Sequence, residues 1–268
     1  MTSERANPGL AMNPVVLEGA AASPAALAAR VARLVDVAAG RRVVVGLAGA
    51  PGAGKSTLAT AVAKAIEAIR PIEATEAGPD GPAPRVVVLP MDGFHLADEE
   101  LARLGRGDRK GAPDTFDAEG YVALLRRVRD GRGPVYAPEF RREIEAAVAG
   151  AIRVDPDVQV VLTEGNYLLA DSDDLTDDLT DDLPDDVADD GPEPGAVPGR
   201  WTPVRSLLDE TWFVEPPEDL RVRRLVARHV AHGRRESEAR AWALGPDERN
   251  ARLVAATRDR ADVVLHPA

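Results

Sequence analysis

A lysine and a serine follow three glycines at the spacing of a phosphate-binding loop. The segment GAPGAGKS begins at Gly49 and fits the pattern GxxxxGK[ST]. Its glycines let several backbone N–H groups converge on phosphate oxygens. The Lys55 ammonium suits β- and γ-phosphates, and the Ser56 hydroxyl suits Mg²⁺. A buried strand before the loop and a helix after it are predicted, so we favour nucleotide binding over a chance Lys-Ser in a glycine-rich turn.

Two acidic residues follow predicted core strands, where parallel sheets bind their ligands. Asp92 follows the strand predicted at 86–89, and we expect it to orient an acceptor hydroxyl and receive its proton. Glu164 follows the strand predicted at 158–162, and we expect it to serve Mg²⁺ together with Ser56. The alternatives are a turn-capping role for either carboxylate, a metal-bound water at Asp92, or an exchange of the two roles.

Arginines are concentrated on one predicted helix, 216–233. Arg224 and Arg228 share a stripe of that helix, and Arg234 and Arg235 follow it. They could form a lid over the γ-phosphate, with Arg228 catalytic, or an ordinary solvated helix face. Nucleic-acid binding is disfavoured, because the stripe is short and only Trp242 adds an aromatic ring. The expected nucleotide-contacting residues are Gly49, Ala50, Pro51, Gly52, Ala53, Gly54, Lys55, Ser56, Thr57 and Arg224.

Aromatic and basic residues after a Pro-Val turn form a candidate acceptor pocket. Tyr136 could stack on a ring, and Arg141 and Arg142 could bind polar groups or merely solubilise a helix. His95 and Lys110 are further candidate substrate residues.

Composition places few other limits on function. The 268 residues are 44% hydrophobic, which is ample for a buried sheet. The absence of cysteine excludes disulfides and thiolate nucleophiles, and no run approaches a membrane span or a signal peptide. We therefore expect a cytoplasmic protein with no membrane or nucleic-acid partner, and a homodimer is compatible with this class.

The net charge of −12 arises from one segment. Eleven Asp and one Glu lie between Asp171 and Pro194, without Lys or Arg, and the remaining acids and bases number 33 each. The four-residue repeat and the Gly/Pro tail favour a disordered insertion at about 171–200. A Ca²⁺ or Mg²⁺ site is the alternative.

The predicted elements describe an α/β domain with a parallel five-stranded sheet flanked by helices. A flexible leader is expected at 1–22, and one domain at 23–268 with a lid at about 217–245. Strands are predicted at 42–48, 86–89, 158–162, 210–214 and 262–265, and helices at 23–40, 55–69, 116–130, 139–148, 216–233 and 238–258. Residues 78–84 are expected to be a loop and 97–115 an irregular surface connection.

These motifs together resemble the P-loop small-molecule kinases that include phosphoribulokinase, uridine kinase and bacterial type I pantothenate kinase. The resemblance covers roughly residues 41–268 apart from the acidic insertion, and is strongest to a nucleoside/nucleotide kinase-like subgroup. It rests on GAPGAGKS at 49–56, MDGF at 91–94, RKGAPD at 109–114, PVY at 134–136, EGN at 164–166 and the arginine-rich helix. It implies MgATP, a lid, Asp92 as the acceptor-binding carboxylate, and substrate contacts from Tyr136 and the following arginines.

The resemblance also places the stretch around Asn250, Arg252 and Arg258 near the adenine or the lid hinge. Uridine kinases usually show Asp-Ser-Phe-Tyr where this chain has Asp92 to His95. The expected function is transfer of the γ-phosphate of ATP to a small acceptor: a nucleoside, a pantothenate-like or nicotinamide riboside-like compound, or a sugar. A regulatory or chaperone-type NTPase acting on a protein partner is the alternative.

Overall fold

The computed structural model describes residues 13–69, 85–171 and 200–267. The predicted loop at 78–84 and nearly all of the acidic insertion lie outside the described residues. Eight strands occur within the described ranges: β1 Val15–Glu18, β2 Val43–Ala48, β3 Val86–Pro90, β4 Val135–Arg141, β5 Ala146–Val154, β6 Val160–Gly165, β7 Glu210–Val214 and β8 Val263–His266. Their α-helices are α1 Pro24–Val37, α2 Lys55–Ala68, α3 Asp98–Arg103, α4 Ala118–Asp130, α5 Glu218–Ala231, α6 Glu236–Leu244 and α7 Pro246–Ala256.

Six of these strands form one parallel sheet in the order β1-β8-β7-β2-β6-β3. The predicted parallel α/β architecture is confirmed, with six strands in place of five. The extra strand is β1, which pairs with β8 from Val15 to Glu18. The expectation of a flexible leader is therefore wrong for residues 15–22. The Val-Val-Leu run favours a strand, and Leu17 packs against the core.

Helices cover both faces of the sheet, and alternate residues of β2 contact opposite layers. Val43, Val45 and Leu47 pack in the cluster that includes α1 and α2. Val44 and Ala48 pack in the cluster that includes α4. Strand β2 is thus buried on both sides, as its continuous apolar sequence predicts.

Residues 135–154 form an antiparallel hairpin, so the helix predicted at 139–148 is wrong. Strands β4 and β5 pair from Val135 with Val154 to Arg141 with Ala146. The Glu, Arg and Ala residues of this segment are good helix formers, but intrinsic propensity is a weak preference that tertiary contacts can override. Cross-strand hydrogen bonds and the burial of Val135, Ala137 and Val154 outweigh that preference.

Two further segments differ from their predicted form. The connection at 97–115 contains α3, and hydrogen bonds from Tyr167 to the Gly111 carbonyl and from Trp201 to the Pro113 carbonyl anchor it. The single helix predicted at 238–258 is divided into α6 and α7 at Gly245 and Pro246. Proline lacks an N–H to continue α6 but suits the first turn of α7. Across the described ranges, no helix combines the length and apolar character needed to span a membrane.

Candidate active site

The turn between β2 and α2 forms the phosphate loop, and the chain packs tightly around it. Gly52 has φ +81°, and a Cβ there would lie 2.6 Å from Leu225 Cγ and 2.8 Å from the Arg221 carbonyl oxygen. A Cβ on Gly49 would lie 2.6 Å from the Val214 carbonyl oxygen. These glycines are required because the end of β7 and helix α5 press directly against the loop.

Lys55 is buried at the base of the loop. Its Nζ donates to the carbonyl oxygens of Gly49 and Ala50, at 2.8 and 3.1 Å, and to Asn166 Oδ1 at 2.8 Å. Burial lowers the pKa of Lys55 to about 8, against the opposing effect of the Glu164 and Asp92 carboxylates. A nucleotide phosphate would stabilise the charged ammonium, which is the form that binds phosphate.

Ser56 and Glu164 form a pair of oxygen ligands beside Lys55. Ser56 Oγ donates to Glu164 Oε1 at 2.9 Å. Burial and the nearby charge of Asp92 raise the pKa of Glu164, whereas Lys55 and Ser56 lower it. A hydroxyl and a carboxylate are hard ligands that fit Mg²⁺, with phosphate and water oxygens completing the shell. These two residues would therefore hold the metal ion.

Asp92 stands on the short 3₁₀ turn that follows β3. Its Oδ2 lies 3.4 Å from Arg142 Nη2. Its carbonyl oxygen accepts a hydrogen bond from His95 Nδ1 at 2.8 Å. A carbonyl can only accept, so Nδ1 carries a proton, and burial lowers the pKa of His95 and keeps the imidazole neutral. The Asp92 side chain is about one-third exposed, so a ligand in the cleft can reach it.

One cleft of about 500 Å³ joins the phosphate loop to Asp92. Its walls come from the loop, the 95–116 connection, the β4–β5 turn, the end of β6 and helices α5 to α7. The predicted residues that line it are Pro51, Gly52, Lys55, Ser56, Asp92, His95, Lys110, Arg142, Glu164, Arg228 and Arg234. The structure thus brings the candidate donor and acceptor groups together in one space.

Aromatic rings surround the acceptor end of the cleft. The His95 ring lies 4.0 Å from that of Phe116 and 5.0 Å from that of Phe140, centroid to centroid. Lys110 Nζ lies 5.4 Å from the centre of the Phe140 ring and 2.7 Å from Asp98 Oδ1. This end offers an apolar face with charged groups at its margin.

Tyr136 and Arg141 do not face the cleft, contrary to the sequence-based expectation. Tyr136 is 50% exposed and lies next to Arg153, and Arg141 pairs with Glu139. Residues alternate between the two faces of a strand, and β4 carries a bulge near Ala137. These features turn Phe140 towards the cleft and leave Tyr136 and Arg141 outside the cleft.

The four arginines identified in the sequence as candidates for a lid occupy different positions. Arg228 lines the cleft, and within the described part of the chain its guanidinium has neither a hydrogen bond nor an ion pair. Arg224 lies against the loop, with Nη1 3.5 Å from the Ala53 carbonyl oxygen. Arg234 stacks over Trp242 at 4.0 Å, whereas Arg235 points away and pairs with Glu238. Two of the four, Arg228 and Arg234, therefore line the cleft.

Several cleft residues were not among the predicted site residues. Asn166 holds Lys55, and Asp247 Oδ2 lies 2.7 Å from His229 Nε2, linking α7 to α5. Of the three residues that the resemblance placed near the adenine or the lid hinge, Asn250 lines the cleft, whereas Arg252 pairs with Glu248 on the surface and Arg258 pairs with Glu215. The place of Asn166 just after a core strand is a signal that could have identified it. Thr57 is exposed on the first turn of α2.

Comparison with known proteins assigns this arrangement to a family. No family model matches the chain. An ATP-dependent kinase-like protein of Aspergillus versicolor is 30% identical over 151 residues, which are 53% of this chain and 73% of that protein. A solved structure, of a candidate fructose transport system kinase from Silicibacter sp. TM1040, is 34% identical with a TM-score of 0.69, covering 90% of this chain and 98% of that one. The chain belongs to the P-loop kinases of the uridine kinase and pantothenate kinase superfamily.

Other relatives of this P-loop kinase are more distant or match a shorter part. A candidate uridine kinase of Schizosaccharomyces pombe is 38% identical over 136 residues, 48% of this chain and 52% of that protein. The matched region thus spans about half of that relative. The fold of this P-loop kinase is also that of the YFH7 structure from Saccharomyces cerevisiae, with a TM-score of 0.67 at 16% identity, covering 92% of this chain and 99% of that one.

Proposed function

We propose that this P-loop kinase transfers the γ-phosphate of ATP to a hydroxyl of a small metabolite. One observation carries the proposal: a single cleft has the phosphate loop at one side and the Asp92 carboxylate at the other. The two groups follow β2 and β3, and Glu164 lies near the carboxyl end of β6, which runs between those strands. A phosphate donor, a metal ligand and a proton acceptor therefore share one edge of the sheet.

The arrangement supports direct transfer between the two substrates. The acceptor hydroxyl hydrogen-bonds to Asp92 and its oxygen attacks the γ-phosphorus. A new O–P bond forms, the bond from the γ-phosphorus to the β,γ-bridging oxygen breaks, the proton passes to Asp92 and ADP leaves. Lys55 and Arg228 stabilise the phosphoryl charge. Mg²⁺ held by Ser56 and Glu164 would neutralise phosphate charge.

The proposed acceptor is a nucleoside, a pantothenate-like compound or a sugar. The rings of His95, Phe116 and Phe140 provide an apolar face that suits a base or the C–H face of a sugar. The names of the relatives, which include candidate uridine and fructose transport system kinases and several pantothenate kinases, support the same three classes. The cleft volume of about 500 Å³ suits a small-molecule acceptor.

The proposal is tested by measuring ADP formation with a panel of nucleosides, vitamins and sugars. We expect ADP and a phosphorylated product to accumulate with one acceptor class. Asp92→Asn should lower kcat by about 10²- to 10⁴-fold. The exposed Asp108→Asn is the matched control and should retain wild-type kcat. Equal ADP formation with every compound, or full activity of Asp92→Asn, would refute the proposed transfer.

A further inference from the structure

Asn166 lies between the two halves of the proposed transfer site. It directly follows β6, which is flanked in the sheet by β2 and β3. In register, Gly165 pairs with Ala48 just before the phosphate loop, and Glu164 pairs with Pro90 just before Asp92. A group on Asn166 is thus placed where the phosphate donor meets the acceptor.

The hydrogen bond to Lys55 determines the orientation of the Asn166 side-chain amide. An ammonium group only donates, so the atom 2.8 Å from Lys55 Nζ must be the amide oxygen. The Nδ2 group is therefore directed away from Lys55. Among the described residues, Nδ2 donates to no hydrogen-bond acceptor. Nδ2 is also not buried, since the buried side-chain polar atoms of those residues that lack a partner do not include it. Because Asn166 lines the cleft, Nδ2 is available to a ligand there.

We propose that Asn166 binds the γ-phosphate of ATP, with Nδ2 donating to a γ-phosphoryl oxygen while Oδ1 holds Lys55. This inference rests on the proposed function, in which Lys55 contacts the β- and γ-phosphates. A donor beside Lys55, on the side towards Asp92, lies by the phosphoryl group that is transferred. Asn166 thus distinguishes ATP from ADP and stabilises the charge on the equatorial oxygens during transfer.

The test is the relative affinity of the full chain for ADP and for a β,γ-imido analogue of ATP, measured by calorimetry with Mg²⁺. Asn166→Asp retains an oxygen for Lys55 and removes the donor, and Asn166→Ala removes both. We expect both variants to lose about tenfold in affinity for the analogue relative to ADP. Affinity for ADP should change much less, because ADP lacks the γ-phosphate.

A matched control changes another amide, at the opposite end of the same strand. Gln159→Glu alters an exposed side chain just before β6, at the end of the sheet opposite the cleft, and should preserve the wild-type affinity ratio. A wild-type ratio in Asn166→Asp would overturn the proposal, because Oδ1 alone would then suffice. A loss in Asn166→Asp with no loss in Asn166→Ala would also overturn it, since repulsion by the new charge would explain the effect.

The binding ratio also separates this inference from the proposed function. The measurement needs nucleotide binding but no acceptor. If the wild-type chain phosphorylates no compound and still prefers the analogue through Asn166, the kinase proposal fails and the inference stands. If transfer occurs and the Asn166 variants keep the wild-type ratio, the inference fails alone.

Discussion

The Arg142 guanidinium lies 3.4 Å from the Asp92 carboxylate, Nη2 to Oδ2, and connects the turn of the β4–β5 hairpin to the end of β3. Both side chains are about one-third exposed, at 37% and 34%. An ion pair that is this exposed to solvent, at this separation, contributes little free energy. An acceptor hydroxyl could therefore replace Arg142 at Asp92 with little loss, leaving the guanidinium free to bind the acceptor.

Arg142→Ala should raise the KM for the acceptor about tenfold and change kcat less, because the guanidinium contributes to binding more than to transfer. Steady-state kinetics with the acceptor found in the panel would measure this. Arg141→Ala is the matched control, since the neighbouring arginine faces away from the cleft. A larger effect at Arg141 than at Arg142 would contradict the observed orientation of the hairpin.

ATP binding should be accompanied by proton uptake at alkaline pH. Burial lowers the pKa of Lys55 to about 8 in the nucleotide-free protein, and phosphate charge would raise it. At pH 8.5 much of Lys55 should therefore gain a proton on binding. Calorimetry in buffers of different ionisation enthalpy measures the uptake. Lys55→Arg is the control, because arginine stays charged, and equal uptake in that variant would exclude Lys55 as its source.

The same pKa determines how Lys55 affects folding. Its folded-state pKa is below the unfolded value of 10.5, so the unfolded chain binds more protons between about pH 8 and 10.5. Lys55 therefore disfavours the nucleotide-free fold most below pH 8. This effect should diminish as pH rises through that window.

Gly52→Ala should destabilise the fold by about 1–3 kcal/mol and impair ATP binding. The new Cβ would lie 2.6 Å from Leu225 Cγ at a residue with φ +81°, which adds a clash to backbone strain. Urea unfolding and nucleotide titration would measure the two effects. Gly133→Ala is the control, since no atom lies within 4 Å of its Cβ position and no left-handed φ is required there. Equal stability of the two variants would show that α5 does not pack against the loop.

His266 should stabilise the protein more at pH 6 than at pH 8. Its Nδ1 lies 2.8 Å from Glu18 and its Nε2 2.9 Å from Glu215. Burial alone would lower the pKa of His266, but the hydrogen bonds and charges of the two carboxylates outweigh it and raise the pKa above 6.5. The stabilisation is complete below the unfolded pKa and is lost as pH rises through the raised folded pKa.

The contribution of His266 should stay below about 1 kcal/mol, because the three side chains are more than one-third exposed. Urea unfolding of the wild type and His266→Gln at both pH values measures it. The difference between the proteins should shrink at pH 8. A difference that grows with pH would reverse the assigned direction of the shift.

Local sequence signals predicted most of the parallel sheet but not the hairpin. Strand β2, for example, is a continuous apolar run, as burial on both faces requires. The segment 139–148 is rich in helix-forming residues, and only pairing with residues distant in sequence makes it a strand. Strand β1 has the same origin, since it gains its hydrogen bonds from β8, some 250 residues later in the chain.

The candidate site was likewise predicted only in part from the sequence. Residues 49–56 predict their chemistry by themselves, because the loop is formed by consecutive residues between one strand and one helix. Asp92 and Glu164 were predicted because the carboxyl ends of parallel strands meet at one edge. The direction of Tyr136 and Arg141 depends on a bulge in β4, and that feature has no local sequence signal.

The sequence by itself determined that this protein has a phosphate loop in a parallel α/β sheet, because both depend on short-range spacing and apolar patterning. The tertiary structure decided which side chains surround the acceptor. It placed Asn166 against Lys55, turned Phe140 inward, and made α7 and the 95–116 connection walls of one cleft. Those contacts join residues far apart in sequence, so they follow from packing and not from any local preference.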